Sequence, residues 1–137
     1  KSANRGGGLF LLNTGRPRRT EPLVNLFLEK CNSETFNRLC LETLLPLTNS
    51  CIHHFLEGDW PTLYNDFHAL SRFQYEHFSP MIPKLFQEVW KKGFESEDYA
   101  LKLCGAGGGG FLLGMAPNLK RAQSALKSYE IRPVIRF

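Results

Sequence analysis

Between two strand-length apolar runs, Tyr99 to Cys104 and Phe111 to Met115, lie Gly105, Ala106, Gly107, Gly108, Gly109 and Gly110. Six residues with almost no side chains join runs too short for buried helices, so the segment reads as two neighbouring strands linked by a glycine-rich bend. Without Cβ atoms such a bend reaches left-handed backbone freely and lets another surface come close to its amides. Successive N–H groups in that setting can form a concave nest for anionic oxygens, phosphate above all. Two readings follow, a plain hairpin link and an anion site. Neither the P-loop pattern, which needs Lys-Ser or Lys-Thr after the glycines, nor a Rossmann turn fits well.

The rest of the chain falls into place around that hairpin. Leu9 to Asn13 is a short apolar run ended by the turn-like Thr14-Gly15-Arg16-Pro17, which suits a first buried strand. From Thr20, expected to cap, the apolar spacing becomes helical through Leu23, Leu26 and Phe27. Ser33 opens a longer helical stretch through Phe36, Cys40, Leu44, Leu47, Cys51 and Phe55, which Pro46 should kink or divide. Gly58-Asp59 ends it and caps a helix with Leu63, Phe67, Leu70 and Phe73 on one face. Ser79-Pro80 starts another, expected to stop at Gly93 as its terminal glycine. Pro117 should begin a last helix carrying Leu119, Ala122 and Leu126, and Ile131 to Phe137 forms a final strand that Pro133 assigns to a sheet edge. Strand, helices, strand, strand, helix, strand predicts an α+β fold. Its layout is ferredoxin-like (split βαβ), a four-stranded, mainly antiparallel sheet with an expanded helical layer on one face. Residues 1–8 read as a linker or extension and 9–137 as the domain.

At 137 residues there is room for one domain, and 42% hydrophobic against 22% charged residues supports a packed core over disorder. No apolar run reaches membrane-spanning length and no secretory leader is visible, so a cytoplasmic, membrane-free setting is expected. Cys31, Cys40, Cys51 and Cys104 form no CxxC pair and read as reduced residues in apolar patterns. The +4 net charge is concentrated in a basic arm, Lys1, Arg5, Arg16, Arg18 and Arg19. It suits phosphate-bearing partners, but without interleaved aromatics it does not argue for nucleic acid.

No metal site is expected. His53 and His54 are adjacent and diverge on a helix, and no HExxH or CxxC accompanies them. Trp60, Tyr64, Phe67 and Phe73, Phe78, Phe86, Trp90 read as core packing. Lys102 alternates with Leu101 and Leu103, so it faces the opposite side of its strand, where solvation is the expected role.

Leu101-Lys102-Leu103-Cys104-Gly105-Ala106-Gly107-Gly108-Gly109-Gly110 closely resembles the third conserved motif of the GHMP small-molecule kinases, K-L-x-G-A-G-G-G-G. Upstream, Asn13-Thr14-Gly15-Arg16-Pro17-Arg18-Arg19-Thr20, followed by Leu23-Val24, resembles the N/D-T-x-x-P-R-x-T segment that opens the C-terminal half of mevalonate kinases. The resemblance spans about Leu9 to Phe137. It implies the C-terminal domain of an ATP-dependent kinase acting on a small alcohol, mevalonate first and another sugar or sugar phosphate second, hence a place in isoprenoid biosynthesis. It also implies ATP and Mg2+ as cofactors of the complete enzyme, Gly105 to Gly110 as the phosphate-side loop, and Thr14, Arg18 and Thr20 near the acceptor. The N-terminal domain, with its P-x-x-x-G-L-x-S-S-A loop and catalytic Asp and Lys, has no counterpart here. No catalytic residue is therefore assigned, and the chain alone is expected to be inactive, with an exposed apolar patch and a tendency to self-associate. The alternative outside the enzyme class is a stand-alone ferredoxin-like module that binds an anion or a protein.

Overall fold

The computed structural model of the chain describes residues 6–15, 19–104 and 110–137. Strand β1 (Gly8–Asn13) leads to α1 (Thr20–Lys30) and α2 (Glu34–Leu39), then through a π-helical turn (Cys40–Leu44) into α3 (Leu45–Glu57). Helix α4 (Trp60–His77), two 3-10 turns (Ser79–Met81 and Lys84–Phe86) and α5 (Gln87–Ser96) follow. Strands β2 (Ala100–Leu103) and β3 (Phe111–Ala116), helix α6 (Leu119–Ala125) and strand β4 (Glu130–Arg136) complete the chain. The sheet order is β2-β3-β1-β4 and every pair is antiparallel. That order, with each outer strand joined to the centre by a helical crossover, is the ferredoxin-like arrangement expected from the sequence.

Several local signals act as anticipated. The Ser33 hydroxyl accepts from the Phe36 amide at 3.2 Å and Asp59 accepts from the Thr62 amide at 3.3 Å, each capping its helix. Pro46 departs from expectation: it lacks the N–H that an α-turn requires, yet the helix passes it without leaving helical torsions. The preceding turn widens instead, so that Leu45 N–H reaches the Cys40 carbonyl. Pro133 lies on the outer strand β4, where a missing donor faces no partner, and the β1–β4 register slips between Leu9 and Phe10.

Four boundaries differ. Thr20 is the first residue of α1, not its cap; Arg19 holds the cap position in extended conformation without a side-chain hydrogen bond. Prolines 80 and 83 break the segment after Phe78 into 3-10 turns, so α5 starts only at Gln87. Gly93 lies inside α5, which continues to Ser96 and closes on Glu97 with φ 64°. The glycine is required there by packing, because a Cβ would overlap the Tyr99 ring. At the last helix Asn118 is the cap, accepting from the Arg121 amide at 3.1 Å, one residue beyond Pro117.

The sheet alternates two apolar faces. Phe10, Leu12, Leu101, Leu103 and Leu112 meet α5, α6 and the α1–α2 region in the larger cluster. Leu9, Ala100 and Met115 point the other way, onto Leu63 and Phe67 of α4. Helix α4 thus runs along the β2 edge and contributes to both faces. It also closes that edge: the Ser71 hydroxyl accepts from Leu101 N–H at 3.3 Å and the Gln74 amide oxygen accepts from Leu103 N–H at 2.9 Å. These two strand amides face away from β3, and both polar side chains are buried, so the helix satisfies donors that would otherwise invite another strand.

Candidate functional site

The antiparallel register fixes the site. Asn13 of β1 lies opposite Phe111 of β3, and Leu103 of β2 lies opposite Leu112. The chain leaving β1, the chain leaving β2 and the chain entering β3 therefore meet at one end of the sheet. The join is explicit. Thr14 donates to the Gly110 carbonyl twice, from its backbone N–H at 2.8 Å and from its hydroxyl at 2.9 Å. Gly110 itself has φ +86°, a conformation open to glycine and strained for other residues. Gly15 N–H donates to the Asn13 side-chain oxygen at 2.7 Å, closing an Asx turn, and the Asn13 amide donates to Glu130 at 3.0 Å. A groove of about 530 Å3 opens beside these contacts, lined by Asn13, Thr14, Gly15, Leu85, Phe86, Ser128, Tyr129 and Glu130.

Of the residues singled out in the sequence, Thr14 and Gly110 are brought into direct contact. Thr14 is buried, and its hydroxyl anchors the glycine bend. Thr20 opens α1 six residues further on. Gly105, Ala106, Gly107, Gly108 and Gly109 lie outside the described residues, as do Arg16 and Arg18. Both ends of the glycine segment are nevertheless fixed, by Leu103 on β2 and by Gly110. Helix α1 opens with no side-chain hydrogen bond from Arg19, the residue at its cap position. Asn13 opens the upstream motif but carries no assigned role in the sequence, and Glu130 is not singled out there; the Asn-x-Gly spacing is the signal that marks the Asx turn.

Lys102 faces away from Leu101 and Leu103, as alternation requires, but it is not a solvated lysine. It is half-buried, its ammonium donates to the Leu103 carbonyl at 2.6 Å, and burial lowers its pKa against the partial opposing effect of Cys104 and Cys51. Burial, reinforced by Asp66, pushes the Cys51 thiol up to about 11, which makes it an inert packing residue at neutral pH. The four cysteines are free thiols.

A polar cluster between α3 and α4 was not foreseen. His54 Nδ1 lies 2.8 Å from Asp66 Oδ2, and the Ser50 hydroxyl donates to that same oxygen at 2.7 Å. Ser, His and Asp here do not form a hydrolytic triad. Serine and carboxylate both sit at Nδ1, whereas a nucleophile must address Nε2 while the acid holds Nδ1. The cluster is a clasp between helices. Its hydrogen bond to Asp66 raises the His54 pKa, outweighing the opposing effect of burial. Stabilisation by the charged pair is complete below the unfolded value of ~6.5 and is lost as pH rises through the higher folded value. Thermal midpoints of the wild type should therefore fall over that interval relative to those of His54→Asn, in which the pH-dependent difference disappears. Parallel curves for the two proteins would show that the imidazole carries no such linkage. No group of three or more His, Cys, Asp or Glu side chains suited to a metal occurs among the described residues.

Fold and register together define an α+β domain of ferredoxin-like topology in which Gly110, leading into β3, is tied to Thr14 at the first strand's exit. No family model matches the sequence, and no curated protein does. Among solved structures, the crystal structure of a Lin0012 protein from Listeria innocua superposes with a TM-score of 0.74 over 91% of this chain, at 19% identity. The match covers 38% of that protein, so the chain spans little more than a third of its structural neighbour and shares its fold. No described helix is long and apolar enough to cross a membrane.

Proposed function

We propose that this chain is the C-terminal domain of an ATP-dependent GHMP-family kinase, mevalonate kinase-like, whose glycine bend forms one wall of the nucleotide cleft. One observation carries the reading. The two segments that resemble kinase motifs are far apart in sequence, and they are joined by the paired hydrogen bonds from Thr14 to Gly110. Leu103, paired in β2, and Gly110, held by Thr14, set the two ends of a segment whose amides, unobstructed by side chains, could form a phosphate nest.

In the complete enzyme the amides of Gly105 to Gly110 would contact the triphosphate, and Arg18, Thr20 and the groove beside Asn13 would face the acceptor. Mg2+ would neutralise charge on the β- and γ-phosphates when bound. The acceptor oxygen attacks the γ-phosphorus, the bond to the β–γ bridging oxygen breaks and ADP departs. The acceptor's proton passes to a base on the N-terminal domain. Without that domain the chain supplies one wall only, and a cytoplasmic enzyme with a small-molecule acceptor fits this assignment.

The assay is ATP-dependent phosphorylation of mevalonate, phosphomevalonate, galactose and homoserine by the longer polypeptide that contains this chain. Turnover of one alcohol, mevalonate first, is expected from the whole protein and none from the 137-residue chain. Mevalonate phosphorylation by the isolated chain would defeat the two-wall reading, and ATP-independent anion or protein binding by the whole would favour the stand-alone module.

A further inference from the structure

Five large apolar side chains of the α3 segment are exposed; Phe55 packs its ring edge-on to Trp60, and the four most exposed are Leu41, Leu45, Ile52 and Leu56, at 66%, 51%, 54% and 77%. Leu41 belongs to the π turn that runs continuously into α3. At 3.6 residues per turn Leu45, Ile52 and Leu56 fall within roughly 40° of arc, and Leu41 precedes Leu45 by the one π turn, giving a row ~22 Å long. Other exposed apolar residues, such as Val24 and Leu28 on α1 or Val134 on β4, form no comparable row. The opposite side of α3 is committed to α4, through Cys51 in the smaller core cluster and the Ser50–His54–Asp66 clasp.

We propose that this stripe is the interface of a two-fold dimer in which α3 of one copy packs antiparallel against α3 of a second. The spacing between successive members is four, seven and four, which reads the same in both directions. A two-fold interface places one patch against itself with the chain reversed, so each position i must meet a position j that meets i in return. An axis between Thr48 and Asn49 does this without remainder: Leu41 meets Leu56 of the other copy and Leu45 meets Ile52. Exposed Asn49 and half-buried Thr48 lie at the axis, where a polar pair can fix the register as a polar core position does in coiled coils. On one flank Glu42 and His53 stand about one position clockwise of the stripe, and reversal sets the acid of each copy near the imidazole of the other. Covering four half- to three-quarters-exposed aliphatic side chains on both copies, with their flanks, removes on the order of 1,000 Å2, the lower edge of a specific interface. An interface of that size suits a dimer in exchange with monomer. This inference is independent of the kinase reading.

Sedimentation equilibrium of the chain from about 5 to 500 μM should fit a monomer–dimer equilibrium. The double variant Leu45→Glu with Leu56→Glu should remain monomeric throughout the range, a loss of at least tenfold in affinity. Both positions are exposed, so its thermal midpoint in dilute solution should match the wild type and show that the fold is intact. In a mixed sample of differently isotope-labelled copies, intermolecular contacts should join Leu41 methyls to Leu56 methyls. Three results would overturn the proposal: a wild-type chain monomeric at 500 μM, a dimer whose affinity the double variant leaves unchanged, or intermolecular contacts joining Leu41 to Leu41.

Discussion

Trp90→Ala is expected to lower stability by about 3–5 kcal/mol, a thermal shift of roughly 10–20 °C for a domain of this size. Trp90 has no exposed surface and is the largest side chain buried so completely. It projects from α5 into the main cluster, and its indole N–H donates to the Ser71 carbonyl of α4 at 3.0 Å. The same Ser71 hydroxyl holds the Leu101 amide of β2. One truncation therefore opens a large cavity, removes the additional hydrogen bond that joins α5 to a carbonyl of α4 and loosens the helix that closes the sheet edge. Trp90→Phe separates these effects, because it keeps much of the ring volume and loses the hydrogen bond. Its cost should be well under half that of alanine. Chemical denaturation of the three proteins gives the comparison, and an alanine variant within about 1 kcal/mol of wild type would mean that this junction does not organise the core.

Gly110→Val is the second variant with a large expected effect, and it concerns the proposed activity. A β-branched residue at φ +86° is strained by about 1–3 kcal/mol and would turn the carbonyl that Thr14 grips. In the longer polypeptide the nucleotide side of the reaction should suffer most, with kcat/KM for ATP down on the order of a hundredfold, a loss comparable to removing one oriented donor from a transition-state site. Thr14→Ser retains the hydroxyl donor and should keep most of the activity, whereas Thr14→Val should lose more. A Gly110→Val enzyme with unaltered nucleotide kinetics and a lowered melting temperature would reduce the bend to a structural turn.

The fold was largely legible in the sequence because its local signals agreed with one another. Ser33, Asp59 and Pro133 each act through the backbone of their own neighbourhood, and each sits where that chemistry requires. Gly93 was misread for the opposite reason: its demand comes from Tyr99, six residues later and on the start of another element, and no helical period reveals such a contact. Ser71 and Gln74 likewise look like ordinary polar positions on α4 until the edge of β2 lies beside them. Lys102 followed the strand alternation faithfully, but alternation names a face without saying what covers it. At the site, the motifs marked Thr14 and Gly110, while their mutual hydrogen bonds follow from the β1–β3 register. Asn13 and Glu130 depend on the β1–β4 register in the same way, and a residue pattern does not carry the pairing of strands so distant in sequence.

The proposed activity requires backbone amides of the glycine bend to receive phosphate oxygens. Titrating the isotope-labelled chain with magnesium-free ATP, and following amide resonances, tests that contact without the rest of the enzyme. Weak binding in the millimolar range is predicted, with progressive shifts confined to Gly105 to Gly110, Gly15 and the first turn of α1. Glycine amides that stay fixed at 20 mM nucleotide, or shifts that gather on another face of the domain, would contradict it.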